Sequence, residues 1–353
     1  MEAGAAADER SVAAAAPPAV GIDAVLRFLA SPAAYPEATA SVERVETHFS
    51  WVFLTDRHVY KLKKRMHANG VDFTALAARR RNAEAECRLN RRLAADVYLG
   101  KVPLTWESVH GLAIGGAGAV VDWLVKMRRL PADHMLDQRL RHADWRYADF
   151  QALADRLAGF FATAPRVTLS PPAYLARLRG ECRGTRRAFD AAGIPALRDQ
   201  ARRAAAFLEA YIARRRKLLL RPLGERRIVE GHGDLRPEHV WLGSTPRIFD
   251  CLEFRRELRL LDPAEEIAFL AMECARLGVR DIEPILFRRY RRRAKEAPAP
   301  ELIAFYKALN ALIRARIAIL HLREVPVREP AKWPARAAEY LGIAARQCRY
   351  LAR

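Results

Sequence analysis

The residues best suited to chemistry lie between Gly231 and Phe254. Gly231-His232-Gly233-Asp234-Leu235-Arg236-Pro237-Glu238-His239-Val240-Trp241-Leu242 places one aspartate at the edge of an apolar run, and Ile248-Phe249-Asp250-Cys251-Leu252-Glu253-Phe254 places a second. Gly243-Ser244-Thr245-Pro246 between them has turn composition, so the two runs are expected to pair as a hairpin. Asp234 and Asp250 would then face one small space. One carboxylate there can accept a hydroxyl proton while the other holds a metal, as phosphoryl transfer requires. Two other readings compete. An aspartate at a turn often only bonds the backbone. His232, Asp234, His239 and Asp250 also mix imidazole and carboxylate, which suits a zinc, iron or manganese hydrolase, although no further histidine cluster accompanies them.

His232-Gly233-Asp234 resembles the H-G-D-x-x-x-x-N catalytic loop of the aminoglycoside and choline kinase-type phosphotransferases, relatives of the protein kinases. Ile248-Phe249-Asp250 is similar to their second motif, whose aspartate binds magnesium. The resemblance implies Asp234 as catalytic base, with His232 beside it in the catalytic group, and Asp250 as metal ligand. One position departs from the pattern: where the family has Asn, this chain has His239. Asn offers a hard oxygen that suits magnesium, and imidazole nitrogen is a poorer ligand for it. With His239 as the second metal-ligand candidate, three outcomes stand open: an altered metal site, an oxygen supplied by Glu238 or Glu253, or weak activity.

Other elements must bring a nucleotide to these aspartates. His48 to Thr55 is rich in strand formers, Asp56-Arg57 can turn the chain, and His58-Val59-Tyr60-Lys61-Leu62-Lys63-Lys64 alternates again. Tyr60 and Leu62 share one face of that second strand, and Val59, Lys61 and Lys63 share the other. Val59-Tyr60-Lys61-Leu62 resembles the family's lysine strand. This implies Lys61 as the residue that neutralises the nucleotide phosphates, with Lys63 as runner-up. Phe73 to Leu93 reads as a helix with a partly apolar face of Leu76, Ala83, Cys87, Leu89 and Leu93. The family places a glutamate on this helix to hold the lysine, and the matching position is Glu86, with Glu84 as the alternative.

Ala119 to Leu130 reads as a strand stopping at Pro131, and it resembles the hinge between the two lobes of the family. There the backbone of Lys126, Met127 and Arg128 would bond the adenine edge. Gly115-Gly116-Ala117-Gly118 lacks a following Lys-Ser/Thr and leads into a strand, so it reads as a hairpin turn and not a phosphate cradle. Beyond Pro131 the pattern is helical. Ala132 to Arg141 has Asp133 as a candidate N-cap, and Tyr147 to Ala164 and Leu197 to Arg216 follow. A helix capped by Asp262, with Pro263 in its first turn, precedes Phe287 to Ala294 and Leu302 to Leu322.

The order of these features spans roughly Val42 to Leu322, and with the helix Ile22 to Leu29 it resembles an uncharacterised bacterial branch of the family. The implied fold is α+β and bilobal, protein-kinase-like: a small N-terminal lobe of antiparallel sheet with a helix over residues 21–127, then a larger, mainly helical lobe over 128–353. Residues 1–20 are Ala-rich and polar and are expected to be disordered. Some members of the branch carry an extra ATP-binding module behind this domain, and a chain ending at Arg353 is expected not to hold one.

The implied activity is transfer of a phosphoryl group from ATP, or another nucleoside triphosphate, to a hydroxyl of a small molecule, with magnesium as cofactor. The alternatives are a non-catalytic kinase-like protein that binds nucleotide or a partner, and a basic nucleic-acid-binding protein. Net charge is +20, with arginine runs at 79–81, 214–216 and 288–293, but no nucleic-acid motif accompanies it. So basic a protein would also steer away polycationic aminoglycosides. Cysteines at 87, 182, 251, 274 and 348 form no C-x-x-C pair, which fits a reducing cytoplasm. No apolar run reaches membrane-spanning length, and the N-terminus lacks the build of a signal peptide.

Overall fold

The two strand-forming runs around Asp56-Arg57 pair with each other in the computed structural model, which describes residues 20–68, 70–294, 297–323, 327 and 329–353. The expected tail therefore lies, up to residue 19, outside the described residues. The chain divides into two compact units, residues up to Arg91 with Ala95–Arg129, and Arg92–Ala94 with Leu130–Arg353.

The first unit holds α1 (Ile22–Ala30), β1 (Glu43–Glu46), β2 (Ser50–Leu54), β3 (His58–Lys63), a short pair β4 (His67–Ala68) and β5 (Val71–Asp72), most of α2 (Leu76–Ala94), β6 (Tyr98–Glu107), β7 (Gly111–Ile114) and β8 (Ala119–Arg128). Its six-stranded antiparallel sheet runs β1-β2-β3-β8-β6-β7. The Thr55 hydroxyl donates to the His58 carbonyl and accepts from its N–H, both at 3.0 Å, closing the turn before β3. Phe53, Tyr60, Leu62, Leu104 and Leu124 form a core with Val25 and Leu29 of α1. Burying such side chains stabilises by about 1.5–3 kcal/mol each.

Gly115 to Gly118 departs from the hairpin expected of it. β7 pairs with β6 and not with β8, so the glycines carry the chain past the end of β6 to its other edge. A Cβ at Gly118 would sit 2.2 Å from the Trp106 carbonyl oxygen, so only glycine fits there.

The second unit contains α3 (Leu136–Arg141), α4 (Tyr147–Thr163), α5 (Pro171–Ala192), α6 (Pro195–Arg214), α7 (Arg216–Gly224), β9 (Val229–Glu230), β10 (Val240–Trp241), β11 (Arg247–Ile248), β12 (Leu260–Leu261), α8 (Pro263–Arg276), α9 (Ile282–Ala294), α10 (Pro300–Leu320) and α11 (Lys332–Leu351). Asp133 caps nothing, because Ala132–His134 is a 3-10 turn and its carboxylate meets the His134 ring. Asp262 does cap α8, accepting from the Ala264 N–H at 3.0 Å. Its other oxygen meets Arg227 Nη2 and the Tyr306 hydroxyl, each at 3.1 Å. α8 is buried along nearly its whole length, so its glutamates need internal partners. Glu265 takes Arg177, and Glu273 takes Arg276 and the Tyr340 hydroxyl.

Candidate active site

Two two-residue ladders frame the H-G-D loop. β9 pairs antiparallel with β12 just before it, and β10 pairs with β11 just after it, through Val240↔Ile248 and Trp241↔Arg247. The second ladder is the hairpin read from Gly243 to Pro246, and it brings Phe249-Asp250 back beside the loop. Arg92, in the short α2 segment that groups with this unit, donates to the Glu230 and Gly231 carbonyls, both at 2.8 Å.

His232 is buried, and its ring ties the two motifs together. Nε2 lies 2.8 Å from the Phe249 carbonyl, which can only accept, so Nε2 carries the proton. Nδ1 then accepts the Asp234 N–H at 3.3 Å. Burial and the neighbouring His239 push the ring down to about 4, so it is neutral near pH 7. His232 thus positions both aspartate motifs. On the other side of the loop, the Glu266 carboxylate accepts the His232 N–H at 2.9 Å and also the Gly233 N–H. Burial raises the Glu266 carboxyl to about 7 against the pull of those donors.

Asp234 has two differently employed oxygens. Oδ2 takes the Arg236 Nε–H at 3.0 Å and lies 3.7 Å from His239 Nδ1, while Oδ1 faces Arg314 Nη1 at 3.9 Å. Burial alone would raise this carboxyl, but Arg236, His239 and Arg314 outweigh it and hold it below the usual range. An ionised, partly exposed carboxylate can orient a hydroxyl and take its proton.

Asp250 sits at φ 61, in the left-handed region, where a non-glycine residue is uncommon and aspartate is among the residues that tolerate it best. This turn leaves its carboxylate 42% exposed, with Oδ2 3.4 Å from His239 Nε2. The two aspartates therefore flank opposite nitrogens of one imidazole.

His239 itself is buried and lowered by that burial and by Arg236. Its Nδ1 donates to the Asp234 carbonyl at 2.8 Å, and its Nε2 accepts from Arg236 Nη2 at 3.0 Å. The lone pair expected to hold a metal is thus already engaged. Among the described residues no group of histidine, cysteine and carboxylate side chains forms a metal cage. The Asp250 carboxylate is 42% exposed, and a single carboxylate suits magnesium, since that ion binds through one or two carboxylates plus substrate phosphates and keeps several waters.

In the first unit, Lys61 and Lys63 both reach Glu86 from the same face of β3. Lys61 Nζ lies 2.8 Å from Oε1 and Lys63 Nζ lies 3.2 Å from Oε2, and Glu86 is fully buried. Glu84 is exposed and pairs with Arg80 and Lys101 instead.

The residues expected to meet adenine, Lys126, Met127 and Arg128, are the last three of β8. All three residues lie inside β8, paired with β3 through Tyr60, Val59 and His58. On the other side Lys126 and Met127 pair with β6, and the Arg128 N–H bonds the Val97 carbonyl at 2.8 Å. The Lys126 side chain turns to Glu37 at 3.2 Å. Sequence reasoning also missed Arg236, Arg314 and Glu266. Arg236 was legible from its place two residues after Asp234. The other two are far away in the chain and carry no local signal.

Comparison with known proteins shows the fold. No protein-family profile matches the chain. A choline/ethanolamine kinase family protein from Mesorhizobium loti superposes with TM-score 0.52 at 15% identity, covering 93% of this chain and 98% of that one. Choline kinase from Cryptosporidium parvum gives 0.57 at 9% identity, over 94% and 96%. The AMP-bound spectinomycin phosphotransferase gives 0.50 at 12% identity, over 92% and 98%. The resemblance read from the sequence is met at the level of the fold, which is bilobal and protein-kinase-like. An uncharacterized protein of Mycobacterium tuberculosis is 30% identical over 282 residues, 77% of this chain and 53% of that protein. The chain thus spans about half the length of the curated relatives it matches. Among the described residues no helix is long and apolar enough to cross a membrane.

Proposed function

We propose that this chain is a phosphotransferase that moves the terminal phosphoryl group of ATP, or a related nucleoside triphosphate, to a hydroxyl of a small molecule. The observation that carries this reading is the pair Asp234 and Asp250. They come from separate motifs, flank the two nitrogens of His239 at 3.7 and 3.4 Å, and Asp250 is held in an uncommon backbone conformation to do so.

In this reading Asp234 orients the acceptor hydroxyl and takes its proton. Arg236 keeps Asp234 ionised and in place. His232 and Glu266 fix the loop from its two sides. Asp250 is the metal carboxylate, and His239 is a spacer between the aspartates. Magnesium bound there would offset the charge of the nucleotide phosphates. In the first unit Lys61, held straight by Glu86, is the phosphate-binding lysine, and Lys63 shares the same carboxylate. The AMP-bound spectinomycin phosphotransferase and the choline kinases of like fold support a nucleotide as donor and a small hydroxyl compound as acceptor.

Thermal unfolding with ATP, with and without magnesium, and ADP formation against a panel of hydroxyl compounds test the proposal. Nucleotide should stabilise the protein in a magnesium-dependent way. Asp250→Ala should remove the magnesium dependence, and Asp234→Asn should remove turnover while nucleotide still binds. Stabilisation by nucleotide without turnover on any acceptor would favour a non-catalytic nucleotide-binding protein. Its structural basis would be the Arg236–His239 bond, which closes one metal position.

A further inference from the structure

Arg314, on α10, faces the Oδ1 side of Asp234, and its buried Nε makes no hydrogen bond. Its side chain is 18% exposed and its Nη1 stands 3.9 Å from Asp234 Oδ1, beyond hydrogen-bond range. Its Nε is buried without a partner, 3.8 Å from a Glu273 oxygen. Glu273 is already engaged by Arg276 Nε at 2.8 Å and by the Tyr340 hydroxyl at 2.7 Å. The guanidinium lies over the Tyr340 ring, 5.9 Å from its centroid, which sets its plane without using its donors. A largely buried guanidinium with a donor unmet is costly unless something else offsets it.

The two oxygens of Asp234 say which substrate that would be. Oδ2 faces Arg236 and His239, and His239 leads on to Asp250. That is the side of the metal carboxylate and hence of the donor phosphates. Oδ1 faces Arg314 Nη1 at 3.9 Å and is the oxygen left for an acceptor hydroxyl.

We propose that the acceptor is an anion: a hydroxyl compound carrying a carboxylate or phosphate close to the reacting hydroxyl, with Arg314 binding that anionic group. Arginine suits this role because its fork bonds carboxylate and phosphate in a bidentate manner. A cationic acceptor would have to approach Asp234 past Arg314, with Arg236 already on the neighbouring oxygen. This inference rests on the phosphotransferase reading. The hydroxyl oxygen bonds the terminal phosphorus of the nucleoside triphosphate, the bond from that phosphorus to the bridging oxygen breaks, the nucleoside diphosphate leaves, and the hydroxyl proton goes to Asp234.

The test uses four probes on the full chain: glycerate, glycerol 3-phosphate, glycerol and choline. Binding is read by calorimetry without nucleotide, and turnover by formation of ADP. Either or both anionic probes should bind, the stronger of the two telling carboxylate from phosphate, and glycerol and choline should bind at least tenfold more weakly. Arg314→Gln should weaken the anionic probe about tenfold or more and raise its KM by more than the KM for ATP. Arg314→Lys, which keeps the charge, should recover part of the loss and guards against a merely misfolded variant. Choline or glycerol binding as well as the anions, no probe binding at all, or Arg314→Gln weakening ATP alone would overturn the proposal. Anion binding through Arg314 without ADP formation would instead keep the anion site and remove the phosphotransferase reading.

Discussion

Arg236 donates from Nη2 to the Nε2 lone pair of His239 at 3.0 Å, and the same guanidinium donates from Nε to Asp234 at 3.0 Å. One side chain therefore holds the Asp234 carboxylate and closes the imidazole nitrogen nearest Asp250. An amide at position 239 would remove the ring and could turn an oxygen toward Asp250. His239→Asn is expected to tighten magnesium-dependent nucleotide binding by about tenfold, within the range by which ligands and their supports alter metal affinity. A magnesium titration followed by nucleotide-induced thermal stabilisation reads this, and equal magnesium affinities in both proteins would place position 239 outside the metal's reach.

Glu86 is fully buried between two lysines, so its loss takes a shared buried carboxylate from both. Breaking a buried pair by removing one partner costs about 3–5 kcal/mol, and Glu86→Ala should lower the urea midpoint accordingly. The lysines should separate by function. Lys61→Ala is expected to weaken nucleotide binding about tenfold to hundredfold, the range for a hydrogen bond to a charged group, and Lys63→Ala by clearly less. Calorimetry with a non-hydrolysable nucleotide decides, and a larger loss with Lys63→Ala would transfer the phosphate role to Lys63.

Glu266, which holds the H-G-D loop, is expected to make stability depend on pH. Its carboxyl is raised by burial from an ordinary value near 4.5 to about 7. The folded state therefore binds the proton more tightly than the unfolded chain. The stability this contributes is complete below the unfolded value and is lost as pH rises through about 7. Glu266→Gln keeps an acceptor oxygen for the His232 and Gly233 N–H groups and abolishes the titration. Unfolding midpoints measured from pH 4.5 to 7.5 should fall less steeply with pH in the variant than in the parent. Parallel curves would mean that Glu266 does not titrate in this window.

Gly233 sits at φ 88, and a Cβ there would come within 3.1 Å of Arg259 Cβ and the Leu258 carbonyl oxygen. Placing an L side chain in the left-handed region costs about 1–2 kcal/mol before any crowding. Gly233→Ala should lower stability by at least that much and reduce turnover more than nucleotide binding, because the loop moves while β3 and α2 do not carry it. Chemical denaturation and steady-state kinetics measure both.

What was legible in the sequence is what depends on neighbours along the chain. Alternation in β3 put Tyr60 and Leu62 in the core and both lysines on the other face. Asp262 followed by Pro263 marked a helix start that the structure contains. Misreadings came where burial is polar. The inward face of α2 carries Arg79, Asn82, Glu86 and Asn90, which an apolar-face search passes over. Arg79, in the arginine run 79–81, is buried and bonds Asp122 at 2.7 Å. α5 and α11 were overlooked, although Ser170 before Pro171 and a left-handed Gly193 after α5 are ordinary stop and start signals.

All five cysteines are buried, and burial pushes the thiols of Cys182, Cys251 and Cys348 up to about 12. Since only the thiolate reacts, the folded molecule is close to inert toward alkylating reagents. Each thiol then becomes a clock for the opening of its own surroundings. Cys251 is the informative one, because it adjoins Asp250 in sequence and meets Arg92 at 3.3 Å. Its alkylation rate measures how often the second aspartate motif breathes, separately from unfolding of the helices that bury Cys182 and Cys348.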